Sequence, residues 1–338
     1  MPIMSKSLLG LDIGNSAIKF AVADEHQVQQ LVTLPLLEDL VKDDRIVSAD
    51  AVAEQLLRAM KENRISKRHV ALVLPSERTI VRRLTVPLMT AEQLRINLPY
   101  EFHDFIQEDK DLFFYDYAVA GTQTDEQGNP TALELVGCAT RKETIAIFRE
   151  VLRKAGLKLD RAVPDSLVYA NLIRNYEANC PDHPAEYCIV DMGHRAIRMH
   201  MFRGAVYETT RVIDLGGRSV DTLISDHFGV DPHLAATYKQ TNHENAQNIQ
   251  PCQELYSRVA VELMRAVNFY GFNTPNSDLR DIYFCGGLTN IPALMDEISR
   301  NVDLQMHSIA ELMPDGGEEE DAVICAAAVG SLLQENGR

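Results

Sequence analysis

The sequence predicts an α/β protein of two similar lobes facing one another, with a strand-helix-strand-strand unit inserted in the first lobe. Three observations predict it. Short apolar runs of strand composition alternate with segments of helical period along most of the 338 residues. An opening unit, an apolar strand ending in Asp-x-Gly and followed by a second strand, recurs after residue 186. Between the two copies, residues 77–140 depart from the alternation.

Leu8–Ile13 is a strand-like run broken by Gly14-Asn15-Ser16, and Ala17–Ala23 is a second one. Asp24–Gln27 reads as a turn into Val28–Leu34. Ser48 is placed to cap a helix over Ala49–Asn63, with Val52, Leu56, Ala59 and Met60 on one face. Val70–Leu74 is a buried-type strand stopped by Pro75. In the insert, Thr79–Val86 alternates like a strand, and Thr90–Gln93 forms a capping box before a short helix that Pro99 kinks or ends. Phe113–Val119 and Ala132–Ala139 are strands flanking a polar hairpin loop at Gly121–Pro130. Thr140–Glu143 reads as a second capping box, followed by Phe148, Leu152 and Ala155 at helical spacing and by Gly156 at a left-handed helix end. A helix is expected at Ser166–Tyr176 and a linker at Asn179–Glu186. In the second half, strands are expected at Tyr187–Asp191, Ile197–Phe202 and Ala205–Val212, with turns at Gly193 and Arg203-Gly204. A helix at Ser219–Phe228, a polar stretch at Thr241–Pro251, a helix at Glu254–Tyr270 and a strand at Asp281–Cys285 follow. Gly286-Gly287 then precedes helices at Pro292–Asn301 and Asp321–Leu333. The expected division is 1–76 with 141–180 as the first lobe, 77–140 as the insert and 187–338 as the second lobe.

Lys and Arg number 33 against 49 Asp and Glu, for a net charge of −16. That balance excludes a broad nucleic-acid surface and electrostatic docking on anionic lipid. The six cysteines form no CxxC pair and no Cys/His cluster with zinc spacing. Cys138, Cys188, Cys285 and Cys325 lie in apolar runs, as reduced intracellular thiols do. The opening MPIMSKSLLG has no apolar signal region, and no segment has the ~18 apolar residues of a membrane span. A cytoplasmic location is expected.

Two Asp-x-Gly turns, Asp12-Ile13-Gly14 and Asp191-Met192-Gly193, each end an apolar strand. Paired across a cleft, such turns clamp phosphate, because glycine lets backbone N–H groups come close to it. Asp12 and Asp191 could hold a hydrated Mg²⁺, and Lys19 could reach a phosphate from the adjoining strand. Either turn read alone is equally a plain hairpin. Gly286-Gly287 after a strand, and Gly216-Gly217 before a helix, are each a second phosphate or adenosine cradle or a tight turn.

LLGLDIGNSAIKF, from Leu8, resembles the first phosphate loop of the actin-like ATPases, CIVDMG the second, and IYFCGGLTNIPALMDEIS their adenosine motif. IDLGGRSVDTLI is similar to a segment of the FtsA-like branch. Within that branch the resemblance is to the PilM family of type IV pilus assembly proteins. VALVLPSERTIVRRLTVPLMTAEQLRINLPYEF, FFYDYAV, RKETIAIFREVLRKAGLKL and VELMRAVNFYGF follow in family order over nearly the whole chain. The resemblance implies an actin-like, FtsA-like fold of four subdomains, residues 221–280 forming an outer one, around a nucleotide cleft. It implies ATP and Mg bound there by Asp12, Gly14, Asn15, Ser16, Lys19, Asp191, Gly193, Gly216, Gly217, Lys239, Gly286, Gly287 and Leu288, with Asp12 and Asp191 reaching Mg through water. It also implies a non-catalytic or weakly catalytic scaffold at the inner membrane face, binding the N-terminal cytoplasmic peptide of a PilN-like membrane protein beside the insert.

The sequence departs from the pattern at His194, Arg195 and Ile197, which put bulk where the second phosphate loop has small residues, and at Ala236, where an acidic residue is lost before Lys239. Arg195 could instead donate to a phosphate. Phe102, Phe105, Ile106, Phe113 and Phe114 are either the core of the insert or a peptide groove. Arg78, Arg82 and Arg83 read as a charged strand edge, and Glu318–Asp321 as a solvated loop. A small-molecule kinase is the alternative in the same superfamily, but the sequence shows no sugar-kinase signature after the first phosphate loop, and no residue stands out as a base that would position water for hydrolysis. An FtsA-type filament tethered by a C-terminal amphipathic helix is a second, and the final SLLQENGR has no such helix.

Overall fold

Leu8–Ile13 (β1) is buried along almost its whole length instead of on alternate residues, which marks a strand covered on both faces. It pairs antiparallel with Ala17–Ala23 (β2), which pairs antiparallel with Val28–Pro35 (β3). The turn between β2 and β3 closes with the Asp24 N–H donating to Gln27 O at 3.1 Å; His26, within it, lies outside the described residues. Ala49–Glu62 (α1) is capped by Ser48 Oγ, which accepts from the Ala51 N–H, and buries Val52, Ala53, Leu56, Ala59 and Met60. His69–Leu74 (β4) returns parallel to β1. The computed structural model describes residues 3–4, 8–25, 27–36, 40–42, 45–316 and 318–334. The readings of the N-terminal segment and of the final tail rest in part on residues 1–2, 5–7 and 335–338, outside them.

A separate antiparallel sheet follows. Thr79–Pro87 (β5) is joined through Ala91–Glu101 (α2) to the hairpin Phe113–Thr124 (β6) and Pro130–Arg141 (β7), in the order β5-β7-β6. The capping box at Thr90 and Gln93 forms, and α2 ends two residues after Pro99. The hairpin strands run further than expected. The loop shrinks to residues 125–129, where Asp125 Oδ1 accepts from the Gln127 and Asn129 N–H groups. The box expected at Thr140 does not form. Lys142–Lys154 (α3) starts without a side-chain cap, because Thr140 belongs to β7 and its hydroxyl donates to Arg78 O at 2.8 Å.

Lys158–Pro164 (β8), which no sequence signal announced, pairs parallel with β4 and completes a five-stranded sheet, β8-β4-β1-β2-β3. Lys158, Asp160 and Arg161 interrupt its apolar residues, as suits a sheet edge. Asp165–Asn179 (α4) leads out of it. The second half repeats the plan with Glu186–Met192 (β9), Ile197–Arg203 (β10) and Val206–Ile213 (β11). Gly217–Phe228 (α5), Pro232–Thr241 (α6), Gln250–Asn273 (α7), Asp281–Cys285 (β12), Pro292–Asn301 (α8), Gln305–Ser308 (β13) and Glu319–Leu332 (α9) follow. Its sheet, β11-β10-β9-β12-β13, has the same sequence of antiparallel and parallel pairings as the first. The chain contains one structural unit twice.

The two copies share helices. α9 comes from the second half but lies on the first sheet. A Cβ on Gly10 of β1 would sit 2.2 Å from Ala328 O, and the Ser331 hydroxyl donates to Ala71 O at 3.2 Å. α4, from the first half, lies between the two sheets and packs against both, with the Tyr169 ring 5.1 Å from His200 of β10. The two helices cross closely, for a Cβ on Gly330 would lie 2.4 Å from Val168 O. Their buried residues join both sheets in one core that includes Leu8, Ala71, Val168, Tyr169, Ile189 and Val329. No described helix is long and apolar enough to cross a membrane.

Candidate functional site

The Asp-x-Gly turns come together at the line between the halves. Asp12 near the end of β1 and Lys19 on β2 are cross-strand partners, and Lys19 Nζ bonds Asp12 Oδ2 at 3.0 Å. Asp191 at the end of β9 faces the same ammonium. Burial works against the charge on Lys19, but Asp12 and Asp191 together hold its pKa above the ordinary lysine value. Burial pushes the Asp191 carboxyl up, and the charges of Lys19, Arg198 and His200 pull it back. A lysine between two carboxylates keeps both near it in the low-dielectric cleft.

Glycine is required at two points of this floor. Gly286 has φ +92°, and a Cβ there would lie 2.7 Å from Met192 O and 2.8 Å from Asp191 Oδ1. Gly216 packs its Cα on the β9–β10 turn, where a Cβ would lie 2.5 Å from His194 O. Gly217 N–H donates to Gly193 O at 3.1 Å, so the Gly216-Gly217 and Gly193 turns form one backbone surface. Lys239 Nζ supports it from behind, 3.3 Å from Gly217 O and 2.7 Å from Asp221 Oδ1. Gly287 faces open space. Gly14, Asn15 and Ser16 form the β1–β2 turn, closed by Gly14 N–H to Ala17 O at 3.0 Å. Leu288 differs from the rest. Its side chain is buried in the second half's core.

Of His194, Arg195 and Ile197, His194 lies on this surface, its Nδ1 3.2 Å from where a Cβ on Gly217 would be. His194 Nδ1 turns toward Asp221, 3.9 Å from Oδ2, and burial lowers its pKa. Ile197 is fully buried. Arg195 Nη1 reaches Glu77 Oε1 at 3.2 Å, and the Arg198 guanidinium donates to the same oxygen. Glu77 and Asp165 escaped the sequence reading. Asp165 opens α4 in a buried setting, with the Ser76 hydroxyl 2.5 Å from Oδ1 and the Ser76 N–H 3.1 Å from Oδ2. Burial raises its pKa against the pull of Arg198. The acidic residue after Pro164 is the only local signal that could have found it.

The five insert aromatics and aliphatics do not form one groove. Phe102, Ile106 and Phe113 are buried with Leu98 and Ala139 in the insert's own core. The reason is the close seat of Phe102, whose ring lies 3.1 Å from where a Cβ on Gly137 would be. Phe105 and Phe114 remain exposed, Phe105 under the Arg82 guanidinium and Phe114 beside Lys142. Strand alternation puts Phe114 on the face of β6 opposite Phe113. There it joins Lys142, Ile145, Ala146, Arg149, Glu150 and Arg153 around a groove of about 470 Å³.

A family model for the type IV pilus assembly protein PilM matches residues 10–315. This chain belongs to the PilM family. Among solved structures, the PilM fold here is similar to that in a PilM–PilN type IV pilus biogenesis complex, at 20% identity and a TM-score of 0.80, covering 96% of this chain and 97% of that one. It is also similar to the ethanolamine utilization protein EutJ from Carboxydothermus hydrogenoformans, at 12% identity and a TM-score of 0.59 over 98% of this chain and 92% of that one. MreB5 of Spiroplasma citri bound to ADP follows at 12% identity and 0.51, over 95% and 94%. The fold is that of the actin-like ATPases. No curated protein matches this PilM-family chain.

Proposed function

We propose that this chain is an actin-like scaffold of type IV pilus assembly that holds ATP between its halves and binds the N-terminal cytoplasmic peptide of a PilN-like inner-membrane protein. The carrying observation is the PilM family match over residues 10–315, together with the likeness of the whole fold to a PilM–PilN complex. The cleft residues fit a nucleotide with Mg. Asp12, Lys19 and Asp191 form a charged floor, the Gly193, Gly216 and Gly286 turns admit close backbone approach, and Gly287 opens outward. Phosphates would lie on these turns, and the two carboxylates would hold the hydrated metal. For the peptide, the groove beside Phe114 offers apolar walls from Ile145 and Ala146 and a basic rim from Lys142, Arg149 and Arg153. Recruitment to the inner membrane face follows from that partner. Neither a kinase nor a filament gains support from the family match.

The test is a titration of a fluorescent peptide from the cytoplasmic N-terminus of the partner encoded beside this gene, with and without Mg-ATP. Saturable binding supports the scaffold, and strengthening by Mg-ATP supports coupling to the cleft. No binding in either condition overturns the partner assignment.

A further inference from the structure

Glu77 sits where three parts of the chain meet. It occupies the single turn Ser76–Arg78 that leaves β4 and opens the insert. Its carboxylate crosses to the second half, where Arg195 and Arg198 both donate to Oε1. These arginines follow Asp191 on the β9–β10 turn and the start of β10. The two contacts differ in exposure. The Arg198 side chain is 9% exposed and also attracted by Asp165, whereas Arg195 is 34% exposed. On either side of Glu77 the insert is tied down. Ser76 is held by Asp165, and Arg78 O accepts from the Thr140 hydroxyl, which joins the insert's last strand to its first.

Outside this knot is a cavity of about 620 Å³ lined by Lys42, Arg45, Val47, Glu77, Arg78 and Arg195. Four cations and one carboxylate among the described residues thus surround a space large enough for a small anionic ligand; Asp43 and Asp44 lie outside the described residues. A phosphate oxyanion there meets Arg195 with the bonding geometry Glu77 already uses and with more charge. Arg198, held by Asp165 as well, keeps a counter-charge when Glu77 moves, so the exchange leaves no buried cation alone.

We infer that Glu77 is an internal anion that pins the root of the insert to the second half, and that a nucleotide in the cleft whose phosphates reach this cavity displaces it from Arg195 and loosens the insert. The displacement step rests on the nucleotide reading above; the pin does not. Because binding free energies are reciprocal, a partner on the insert that favours the loosened root must tighten nucleotide binding by the same factor.

The experiment follows backbone hydrogen exchange of residues 76–87 in the full chain, wild type and Glu77→Gln, without ligand, with Mg-ATP and with inorganic pyrophosphate. Without ligand, Glu77→Gln is expected to exchange at least fivefold faster than wild type there. Mg-ATP is expected to accelerate wild type and to leave the variant unchanged, and to bind the variant about fivefold more tightly. Arg195→Gln, at the more exposed position, is expected to loosen the same segment and serves if Glu77→Gln folds poorly. Equal ligand-free exchange in wild type and variants overturns the pin. Mg-ATP binding to wild type without any change at residues 76–87 overturns the displacement. Failure of wild type to bind Mg-ATP at all overturns the displacement together with the cleft reading, while the ligand-free comparison still decides the pin.

Discussion

Gly286 shows how little room the second Asp-x-Gly turn leaves. With φ +92° and a Cβ position 2.8 Å from Asp191 Oδ1, Gly286→Ala strains the backbone and pushes the carboxylate at once. A loss of roughly 2–4 kcal/mol in denaturant unfolding is expected. Asp191→Ala tests the same corner from the ligand side. If the cleft holds Mg-ATP as proposed, then at one hundred times the wild-type Kd wild type should gain about 2.7 kcal/mol of stability, and a tenfold weaker variant only about 1.4. Melting with and without Mg-ATP reads the difference, and an undiminished shift would remove Asp191 from the clamp. His200, beneath this corner, has no exposed surface. Burial pushes its pKa down to about 4, against the attraction of Asp191 and Glu77 and with the repulsion of Arg198. The unfolded chain therefore binds a proton near pH 6.5 that the folded chain refuses until about pH 4. Stability should fall as pH is lowered through that window, by up to roughly 3 kcal/mol from this residue. His194, also lowered, adds in the same direction, whereas Asp165 and Asp191, raised by burial, oppose it on the acid side. Melting temperatures at pH 7 and pH 5 should diverge in wild type and converge in His200→Asn.

Among the elements, the insert is the clearest case of a small sheet made stable by one helix. Phe102 is fully buried between α2 and the sheet, so Phe102→Ala should cost about 3–5 kcal/mol. The loss should be seen as faster exchange in residues 79–141, with Mg-ATP binding kept. What the sequence made legible divides along the same physical line. β1, β9 and β12 are continuous apolar runs because both faces are covered, and each ends in the glycine turn that builds the cleft. The order of the Asp-x-Gly turns and glycine motifs is legible for that reason. β8 and β13 are not, because Lys158, Asp160 and Arg161 interrupt the one, and the other is only four residues, Gln305–Ser308, none of them buried. No helix is read over α6 from the sequence, although Asp231 caps it and Pro232 starts it. Which insert aromatics face outward depends on how α2 lies on the sheet, and no local pattern carries that. The Glu77 contact joins residues more than a hundred positions apart, beyond the reach of spacing arguments.

At the scale of the whole molecule, the halves meet through α4 and α9 at contacts that admit no side chain. Gly330→Val would force its Cβ against Val168 O, now 2.4 Å from that position, and spread the helix crossing. A loss above roughly 3 kcal/mol is expected in global unfolding. If the cleft between the halves holds Mg-ATP as proposed, its affinity should fall as the halves spread.

The crosswise placement of α4 and α9 also bears on chain continuity. The second half lends α9 to the first sheet and α4 bridges both sheets, somewhat as in a swapped dimer, here fused through the turn at residues 180–185. Cut there, neither fragment can bury its own sheet, yet the two together retain every buried contact. Pieces 1–180 and 186–338 should aggregate when produced alone and reconstitute one another when co-expressed, so the connecting peptide bonds matter less than the shared helices.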